Sequence, residues 1–214
     1  MMSEREIPHI LEDPTGPTPP AVLVAGRETL LESLTPGEDI WVFAYGSLLW
    51  DPGFEFTEAA PAQLFGYHRQ FCIHSWIYRG TERHPGLVLG LDRGGSCHGR
   101  AYRVAAQNAG HVLGYLWDRE MTSNVYMHRL LLTRCRGRTI ACHTWAADRA
   151  HPQYAGRRPI AEAAEIIAGA TGRSGANHDY LRNTVAHLDA LGIGDGPLHR
   201  LLVLVDRRLE AEAR

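Results

Sequence analysis

The sequence predicts an α+β fold in which a mainly antiparallel β-sheet or barrel is packed with α-helices. Residues 40–104 contain short apolar runs bounded by glycine and proline, which is typical of β-strands. After residue 104, apolar residues recur every three or four positions in most segments, as they do in amphipathic helices. Strands that come first and helices that follow are typical of the α+β class.

The β-rich part of the chain contains one strong hairpin signal. Two apolar segments flank Arg93-Gly94-Gly95-Ser96, and paired glycines of this kind are typical of a tight turn. We therefore expect the chain to reverse its direction there. Strand character returns twice after the first helix of the main domain. The predicted strands cover residues 40–43, 62–73, 87–92, 99–104, 130–133 and 139–146.

Helical periodicity and stop signals divide the chain into an N-terminal arm and a main domain. The predicted helices cover about residues 21–34, 107–120, 159–170, 180–191 and 198–209. The first of them follows a Pro-rich segment that ends in DPTGPTPP, and Thr35-Pro36-Gly37 stops it. We expect residues 1–40 to form the arm and residues 41–214 to form the main domain.

Composition and charge favour a globular chain without nucleic-acid or membrane partners. Of the 214 residues, 44% are hydrophobic and 21% are charged, and the formal net charge is -2. Such a balance lacks the basic excess of a nucleic-acid-binding protein. No apolar run reaches the roughly 20 residues of a membrane helix. Because MMSEREIPHI lacks the apolar stretch of a signal peptide, we expect a cytoplasmic location.

Two residue types narrow the possible chemistry. All 22 basic residues are arginine, so the chain has no lysine for a Walker-type phosphate-binding loop or for a Schiff base. The four cysteines, Cys72, Cys97, Cys135 and Cys142, form no C-x-x-C pair and are too few for a disulfide framework. We expect them to be buried free thiols.

The segment AYGSLLW, residues 44–50, interrupts the first predicted strand. Four apolar residues lead into Tyr45-Gly46-Ser47, after which the apolar character resumes. A glycine weakens the interior of a strand and usually marks a bulge or the close approach of another backbone or a ligand. The segment is therefore either a kink in a barrel strand or a place where a small molecule binds.

Glu120 breaks the apolar pattern of the predicted helix 107–120. Leucine and tryptophan form a stripe along this helix, and Glu120 takes the next position on the same face. It also lies in the last turn, where the helix dipole disfavours an anion. Burial and the dipole would both raise its pKa above the usual ~4.3, toward values useful for proton transfer. Glu120 is therefore either a catalytic acid or base, or half of an ion pair with Arg119 or Arg129.

A metal site has weak support in the sequence. The twelve histidines are scattered and form no H-E-x-x-H motif. Cys97-His98 and Cys142-His143 are the only close histidine–cysteine neighbours, and adjacent residues of a strand point to opposite faces. We therefore expect no metal ion.

A serine hydrolase is a second alternative. The segment GRSGA, residues 172–176, nearly matches the nucleophile elbow G-x-S-x-G, and Asp189 and His199 follow in the order of α/β-hydrolases. The elbow must follow a strand, however, whereas the segment before Ser174 is strongly helical in character. An interhelical turn or a helix start is the simpler interpretation of Ser174.

A set of short motifs along residues 41–205 provides the strongest functional signal. The motifs are W-V-F-A-Y-G-S-L-L-W (41–50), Arg79-Gly80-Thr81, Pro85-Gly86, Gly99-Arg100-Ala101-Tyr102, Arg119-Glu120, Tyr126, Pro152-Gln153-Tyr154 and S-G-A-N-H-D-Y-L (174–181). In this order they resemble the ChaC-type gamma-glutamylcyclotransferases, small enzymes that cleave glutathione. Two departures are visible: Asn124-Val125 stand where the family often has glycine before the tyrosine, and residues 1–40 have no counterpart in the family core.

The resemblance implies a binding segment, a catalytic residue and a reaction. In such enzymes the Y-G-S-L segment holds the γ-glutamyl end of the substrate with backbone donors and the serine hydroxyl. Carried over, Glu120 is catalytic, and the substrate-binding residues are Val42, Phe43, Ala44, Tyr45, Gly46, Ser47 and Tyr126. The substrate's own α-amine attacks its γ-carbonyl, so the products are 5-oxoproline and, from glutathione, Cys-Gly. This intramolecular reaction requires no enzyme nucleophile, metal or cofactor.

Several alternatives stay open within this resemblance. The enzyme would act on glutathione or on other γ-glutamyl amines and peptides, and a binding module that has kept the pocket without catalysis is a further alternative. Tyr126 is either a pocket residue or a core tyrosine with its hydroxyl satisfied. Arg79 either meets the glycine carboxylate of glutathione or lies at the surface. The sequence does not indicate the oligomeric state.

Overall fold

The computed structural model describes residues 20–121 and 123–213, and a closed five-stranded barrel lies at its centre. The strands are β1 (Ile40–Ala44), β2 (Glu58–Ser75), β3 (Gly86–Val104), β4 (Tyr126–Cys135) and β5 (Arg138–Ala147). They close in the order β1-β3-β2-β4-β5. All neighbouring pairs are antiparallel except β1 and β5, which are parallel. The predicted α+β fold with a mainly antiparallel barrel is confirmed.

Five helices of the described residues pack around the barrel. They are α1 (Pro20–Glu32), α2 (Ala106–Glu120), α3 (Ile160–Gly169), α4 (Asn177–Ala190) and α5 (Gly196–Glu212). A short 3₁₀ helix (Ser47–Leu49) follows β1, and the two-residue strands β6 (Thr171–Gly172) and β7 (Gly175–Ala176) pair before α4. Every predicted helix is present with its ends shifted by a few residues. In the part of the chain that is described, no helix has the length and apolar character needed to cross a bilayer.

The predicted turn at Arg93-Gly94-Gly95-Ser96 is wrong. Strand β3 continues through these residues and stays paired with β2, with a register shift between Phe65 and Tyr67. Gly94 and Gly95 have φ angles of 102° and 69°, and Gly66 on the opposite strand has 81°, so both strands bend at a bulge. Glycine supplies positive φ at a bulge as readily as in a turn, and the local sequence does not distinguish the two.

Three apolar clusters stabilise the described part of the fold, and two of them hold most of its buried apolar residues. Small and medium side chains from all five barrel strands fill one cluster, which includes the buried thiols of Cys97, Cys135 and Cys142. Cys72 is also buried and free, so the prediction for the cysteines is confirmed. The larger cluster joins barrel residues to residues of α1–α5. Helix α2 contributes its apolar stripe to this cluster, which fixes the position of its C-terminal end.

Helix α1 packs along α2. Leu30 is 6% exposed and belongs to the larger cluster, and Arg27 lies 3.4 Å from the carboxylate of Asp118. A Cβ atom on Gly26 would lie 2.7 Å from the ring of Trp117, so a glycine permits the close approach of the two helices. Most of the predicted Pro-rich segment lies outside the described residues. The division of the chain at residue 40 stays a prediction.

Candidate active site

A cavity lies where the segment after β1 meets the end of α2. Its volume is about 60 Å³, which is room for roughly four to six water-sized groups. It is lined by Phe43, Tyr45, Gly46, Ser47, Leu48, Leu89, Glu120, Tyr126, Thr144, Trp145 and Tyr180. The two irregular features of the sequence, the Tyr45-Gly46-Ser47 segment and Glu120, therefore line the same cavity although about 75 positions separate them.

Glu120 is the last residue of α2, and its side chain is 18% exposed. Burial raises the pKa of its carboxyl group above the usual value, and the positive charge of Arg119 partly opposes this shift. Arg119 Nε lies 3.6 Å from Glu120 Oε1, so the ion pair with Arg119 also exists. The two interpretations of Glu120 are compatible, because the same carboxylate lines the cavity and lies beside an arginine.

Arg119 connects the end of α2 to the segment that follows β1. Its Nη2 donates to Ser47 Oγ at 3.1 Å, and its Nη1 donates to the Asp51 carbonyl and to Tyr115 Oη, both at 3.0 Å. An arginine side chain has only donors, so Ser47 Oγ must accept in this pair. The hydroxyl hydrogen of Ser47 therefore stays available to donate to a ligand.

A buried arginine holds the same segment from the other side. Arg69 donates from Nε to the Tyr45 carbonyl, from Nη1 to Asp195 Oδ2 at 2.8 Å and from Nη2 to the His98 carbonyl at 2.7 Å. Its side chain is 2% exposed. A Cβ atom on Gly46 would meet only Leu89, at an ordinary 3.7 Å, so packing within the protein does not fill the cavity side of this glycine. The segment is thus held in place while its glycine remains open to a ligand.

Three tyrosines surround Glu120 in the cavity wall. Tyr126 Oη donates to the Leu89 carbonyl at 2.6 Å, so Tyr126 is a pocket residue whose hydroxyl is also satisfied. Burial raises the pKa of Tyr180 to about 12, and it holds the pKa of Tyr45 and Tyr126 well above the usual value. The negative charge of Glu120 adds to each of these shifts. All three hydroxyls therefore stay protonated at neutral pH. The Tyr126 hydrogen is already donated to the Leu89 carbonyl, so the hydroxyls of Tyr45 and Tyr180 are the ones that can donate to a ligand.

The structure separates two of the predicted binding residues from the cavity. Val42 and Ala44 are 0% exposed, and their side chains belong to the larger apolar cluster. Successive side chains of a strand point to opposite faces, so only Phe43 between them lines the cavity. The prediction assigns this segment to the substrate through its backbone donors, so a binding role for Val42 and Ala44 stays a prediction. The other predicted residues, Phe43, Tyr45, Gly46, Ser47, Glu120 and Tyr126, line the cavity.

Sequence reasoning missed five residues of the cavity wall: Leu48, Leu89, Thr144, Trp145 and Tyr180. Tyr180 lies in the S-G-A-N-H-D-Y-L motif and Leu48 follows the Y-G-S triplet, so both had a local signal. Leu89, Thr144 and Trp145 come from the interiors of β3 and β5. Only the closure of the barrel brings these strand residues to the site.

The structure gives the alternative sites no support. Ser174 is an exposed residue in the turn between β6 and β7, not an elbow between a strand and a helix. Within the described residues, no group of three or more His, Cys, Asp or Glu side chains is arranged to hold a metal ion. His143 instead contacts His128, and the distance between His143 Nδ1 and His128 Nε2 is 2.9 Å.

Known proteins match most of the chain. The sequence model of the family described as ChaC-like protein matches residues 40–208. A glutathione-specific gamma-glutamylcyclotransferase from Escherichia coli K12 is 38% identical over 175 residues, which are 79% of this chain and 74% of that protein. A glutathione-specific gamma-glutamylcyclotransferase from Schizosaccharomyces pombe is 31% identical over 205 residues, which are 86% of this chain and 97% of that protein.

The fold is also similar to that of a solved protein. A crystal structure of a gamma-glutamyl cyclotransferase specific to glutathione from yeast superposes with a TM-score of 0.70 at 22% identity. The match covers 80% of this chain and 100% of that chain, and at this identity it supports the fold alone. The family model and the sequence relatives confirm the resemblance seen in the motifs: the chain belongs to the ChaC-like family.

Proposed function

We propose that this protein is a glutathione-specific gamma-glutamylcyclotransferase, which converts glutathione to 5-oxoproline and Cys-Gly. The observation that carries the proposal is the position of Glu120, a carboxylate with a raised pKa in the same cavity as the Tyr45-Gly46-Ser47 segment. Relatives that cover most of the chain and bear the name of this activity support the choice of substrate. The cytoplasmic location stays a prediction.

The reaction needs no nucleophile from the enzyme, because a γ-glutamyl amide carries its own. The α-amine of the substrate attacks the γ-carbonyl carbon, and a new C–N bond closes a five-membered lactam. The amide bond between the γ-carbonyl and the cysteine nitrogen then breaks. The α-ammonium must lose one proton before the attack, and the departing cysteine nitrogen must gain one as the C–N bond breaks. The ring nitrogen then releases its second proton to the regenerated carboxylate or to water, and the amine of Cys-Gly takes up one more, so the protons balance.

Glu120 serves both proton transfers in turn. As a carboxylate it accepts the proton of the α-ammonium group, and as a carboxylic acid it returns a proton to the leaving nitrogen. A raised pKa favours this cycle, because the acid form then holds its proton near the pH at which the enzyme works. The neighbouring Arg119 moderates the shift and thereby preserves a fraction of the carboxylate form.

The segment after β1 orients the γ-glutamyl group for cyclisation. Gly46 and Ser47 of this segment line the cavity, and the Ser47 hydroxyl is free to donate to a ligand there while its oxygen accepts from Arg119. Holding the α-amine against the γ-carbonyl selects the reactive rotamer, which is a proximity effect. The protonated hydroxyls of Tyr45 and Tyr180 in the cavity wall supply further donors to the carbonyl oxygen as charge develops on it.

The proposal is tested by incubating the purified protein with glutathione and analysing the products by mass spectrometry. We expect 5-oxoproline and Cys-Gly in equal amounts. Formation of glutamate in place of 5-oxoproline would indicate hydrolysis and contradict the mechanism. Turnover of γ-glutamyl dipeptides and γ-glutamyl-ε-lysine in parallel measures whether glutathione is the preferred substrate, and a higher kcat/KM for either alternative would overturn the assignment of substrate.

A further inference from the structure

Three sequence motifs meet at one place in the fold, and the catalytic site uses only Tyr180 of them. The loop between β2 and β3 carries Arg79-Gly80 and Pro85-Gly86, and the small β6–β7 hairpin packs on it. A Cβ atom on Gly80 would lie 2.1 Å from the Gly86 nitrogen, and one on Gly172 would lie 2.5 Å from the Gly80 nitrogen. The backbones are therefore in direct contact, and the glycines fix the loop against the hairpin.

This packing holds the side chain of Arg79 in one orientation. The backbone nitrogen of Arg79 donates to Ser75 Oγ at 2.9 Å. The side-chain Nη1 of Arg79 donates to the carbonyls of Ser174 at 2.6 Å and Ala176 at 3.3 Å. The guanidinium carbon lies 5.3 Å from the centre of the Tyr180 ring, in cation–π geometry. A guanidinium that is anchored on one side in this way presents its remaining donors in a fixed direction.

The remaining donors of Arg79 have no anionic partner among the residues that the structure describes. Over the described residues, the ion pairs of the structure do not include Arg79. All its side-chain hydrogen bonds there use Nη1, so Nε and Nη2 are available to a ligand. Uncharged carbonyls thus orient a full positive charge without neutralising it, which is an arrangement suited to a carboxylate.

Tyr180 places this charge beside the catalytic cavity. The same tyrosine lines the cavity with Glu120 and stacks under Arg79. The cavity, at about 60 Å³, is too small for all of glutathione, so the Cys-Gly portion extends out of it when the γ-glutamyl group lies against Glu120. Two extended residues span at most about 7 Å, and the Arg79 guanidinium lies 5.3 Å from the centre of the Tyr180 ring that lines the cavity. The free carboxylate of the glycine residue is therefore the part of the substrate that this cation is placed to meet.

We propose that Arg79 binds the C-terminal carboxylate of the substrate and selects γ-glutamyl compounds that carry a carboxylate two residues beyond the scissile bond. This inference rests on the proposed cyclotransferase activity and specifies how the enzyme recognises the part of the substrate that is released. Bidentate arginine–carboxylate pairing provides both the geometry and the charge for such recognition. A γ-glutamyl amine without that carboxylate would bind more weakly.

The test compares glutathione with its C-terminal amide, γ-glutamyl-cysteinyl-glycinamide, on the wild-type protein and on Arg79→Gln. We expect the wild type to show a KM roughly 10- to 100-fold higher for the amide, with kcat changed little. Arg79→Gln should raise the KM for glutathione by a similar factor and leave the KM for the amide unchanged. Arg83→Gln is the matched control, because Arg83 is an exposed arginine of the same loop, and it should leave both values as in the wild type.

Two results would overturn the inference. One is a wild-type enzyme that turns over glutathione and its amide with equal KM, a measurement that requires no variant to fold. The other is an Arg79→Gln enzyme that loses equally on both substrates, which would assign Arg79 a purely structural role. A wild-type protein that forms no 5-oxoproline from either compound would instead contradict the proposed function, so the two failures are distinguishable.

Discussion

Replacing Asn177 with alanine removes both hydrogen bonds that join α4 to β3. Asn177 is the first residue of α4 and is 0% exposed. Its Oδ1 accepts from the Leu87 nitrogen and its Nδ2 donates to the Leu87 carbonyl, each at 2.7 Å. The side-chain amide therefore pairs with Leu87 as a neighbouring strand would. This contact secures β3 close to Leu89 and the cavity.

The cost of the substitution follows from these two contacts. Leu87 is 0% exposed, so water does not replace the lost partners of its N–H and C=O groups. An unsatisfied buried group costs about 1–3 kcal/mol, and two such groups cost about 2–6 kcal/mol. In a domain of this size 1 kcal/mol lowers Tm by about 2–4 °C, so a mid-range loss of about 4 kcal/mol lowers Tm by about 8–16 °C.

Urea denaturation followed by circular dichroism measures the loss directly. Asn183→Ala is the matched control, because Asn183 is an exposed residue of the same helix, and it should change the free energy of unfolding by less than about 0.5 kcal/mol. Asn177→Asp keeps the acceptor but turns the donor into a second acceptor that faces the Leu87 carbonyl. Protonation restores a donor, so the destabilisation by Asn177→Asp should shrink as the pH falls. Equal stability losses in Asn177→Ala and Asn183→Ala would refute this reasoning.

Three further predictions concern titrating groups. Burial raises the pKa of Glu120, so the folded state loses stability as the pH rises through that pKa and the buried carboxyl group ionises. Because glutamine does not ionise, Glu120→Gln should raise Tm at pH 8. This gain in Tm should vanish below pH 4.5, where Glu120 is protonated in both the folded and the unfolded chain. Arg119 lowers the pKa of Glu120, so Arg119→Met should move the acid limb of the pH profile of kcat/KM to higher pH. If the acid limb does not move, a group other than Glu120 is responsible for it. Burial lowers the pKa of His143 to about 4, and the charge of His128 adds to the shift. As the pH falls, the unfolded chain protonates His143 at a higher pH than the folded protein does, so the free energy of unfolding should decrease between pH 6.5 and about 4. In urea denaturation, His143→Gln should make this dependence on pH less steep. His111→Gln, at an exposed site, should leave it unchanged.

The catalytic candidate was predictable because it violates two local rules. Glu120 continues an apolar stripe and lies at the helix end that disfavours an anion, and both rules depend only on neighbouring residues of one helix. The Tyr45-Gly46-Ser47 segment was equally visible as an interruption of a strand. Such local conflicts mark functional sites because folding alone does not favour them.

The rest of the site depends on contacts between distant parts of the chain. Thr144 and Trp145 line the cavity because β5 closes the barrel against β1, and no pattern within β5 indicates that neighbour. The glycines at 94 and 95 were assigned to a turn because a bulge and a hairpin require the same backbone angles. The motif also does not show which face of the strand each side chain takes, so the burial of the Val42 and Ala44 side chains in the larger apolar cluster is visible only in the structure.

The role of Glu120 is tested most directly by the rate at which Glu120→Gln forms 5-oxoproline from glutathione. The glutamine is nearly isosteric but neither accepts nor returns a proton, so kcat should fall by at least about 100-fold. Glutathione binding, measured by calorimetry on the same protein, should change little because the segment after β1 and Arg79 are intact. Turnover within tenfold of the wild type would contradict the account, since another group would then carry the protons.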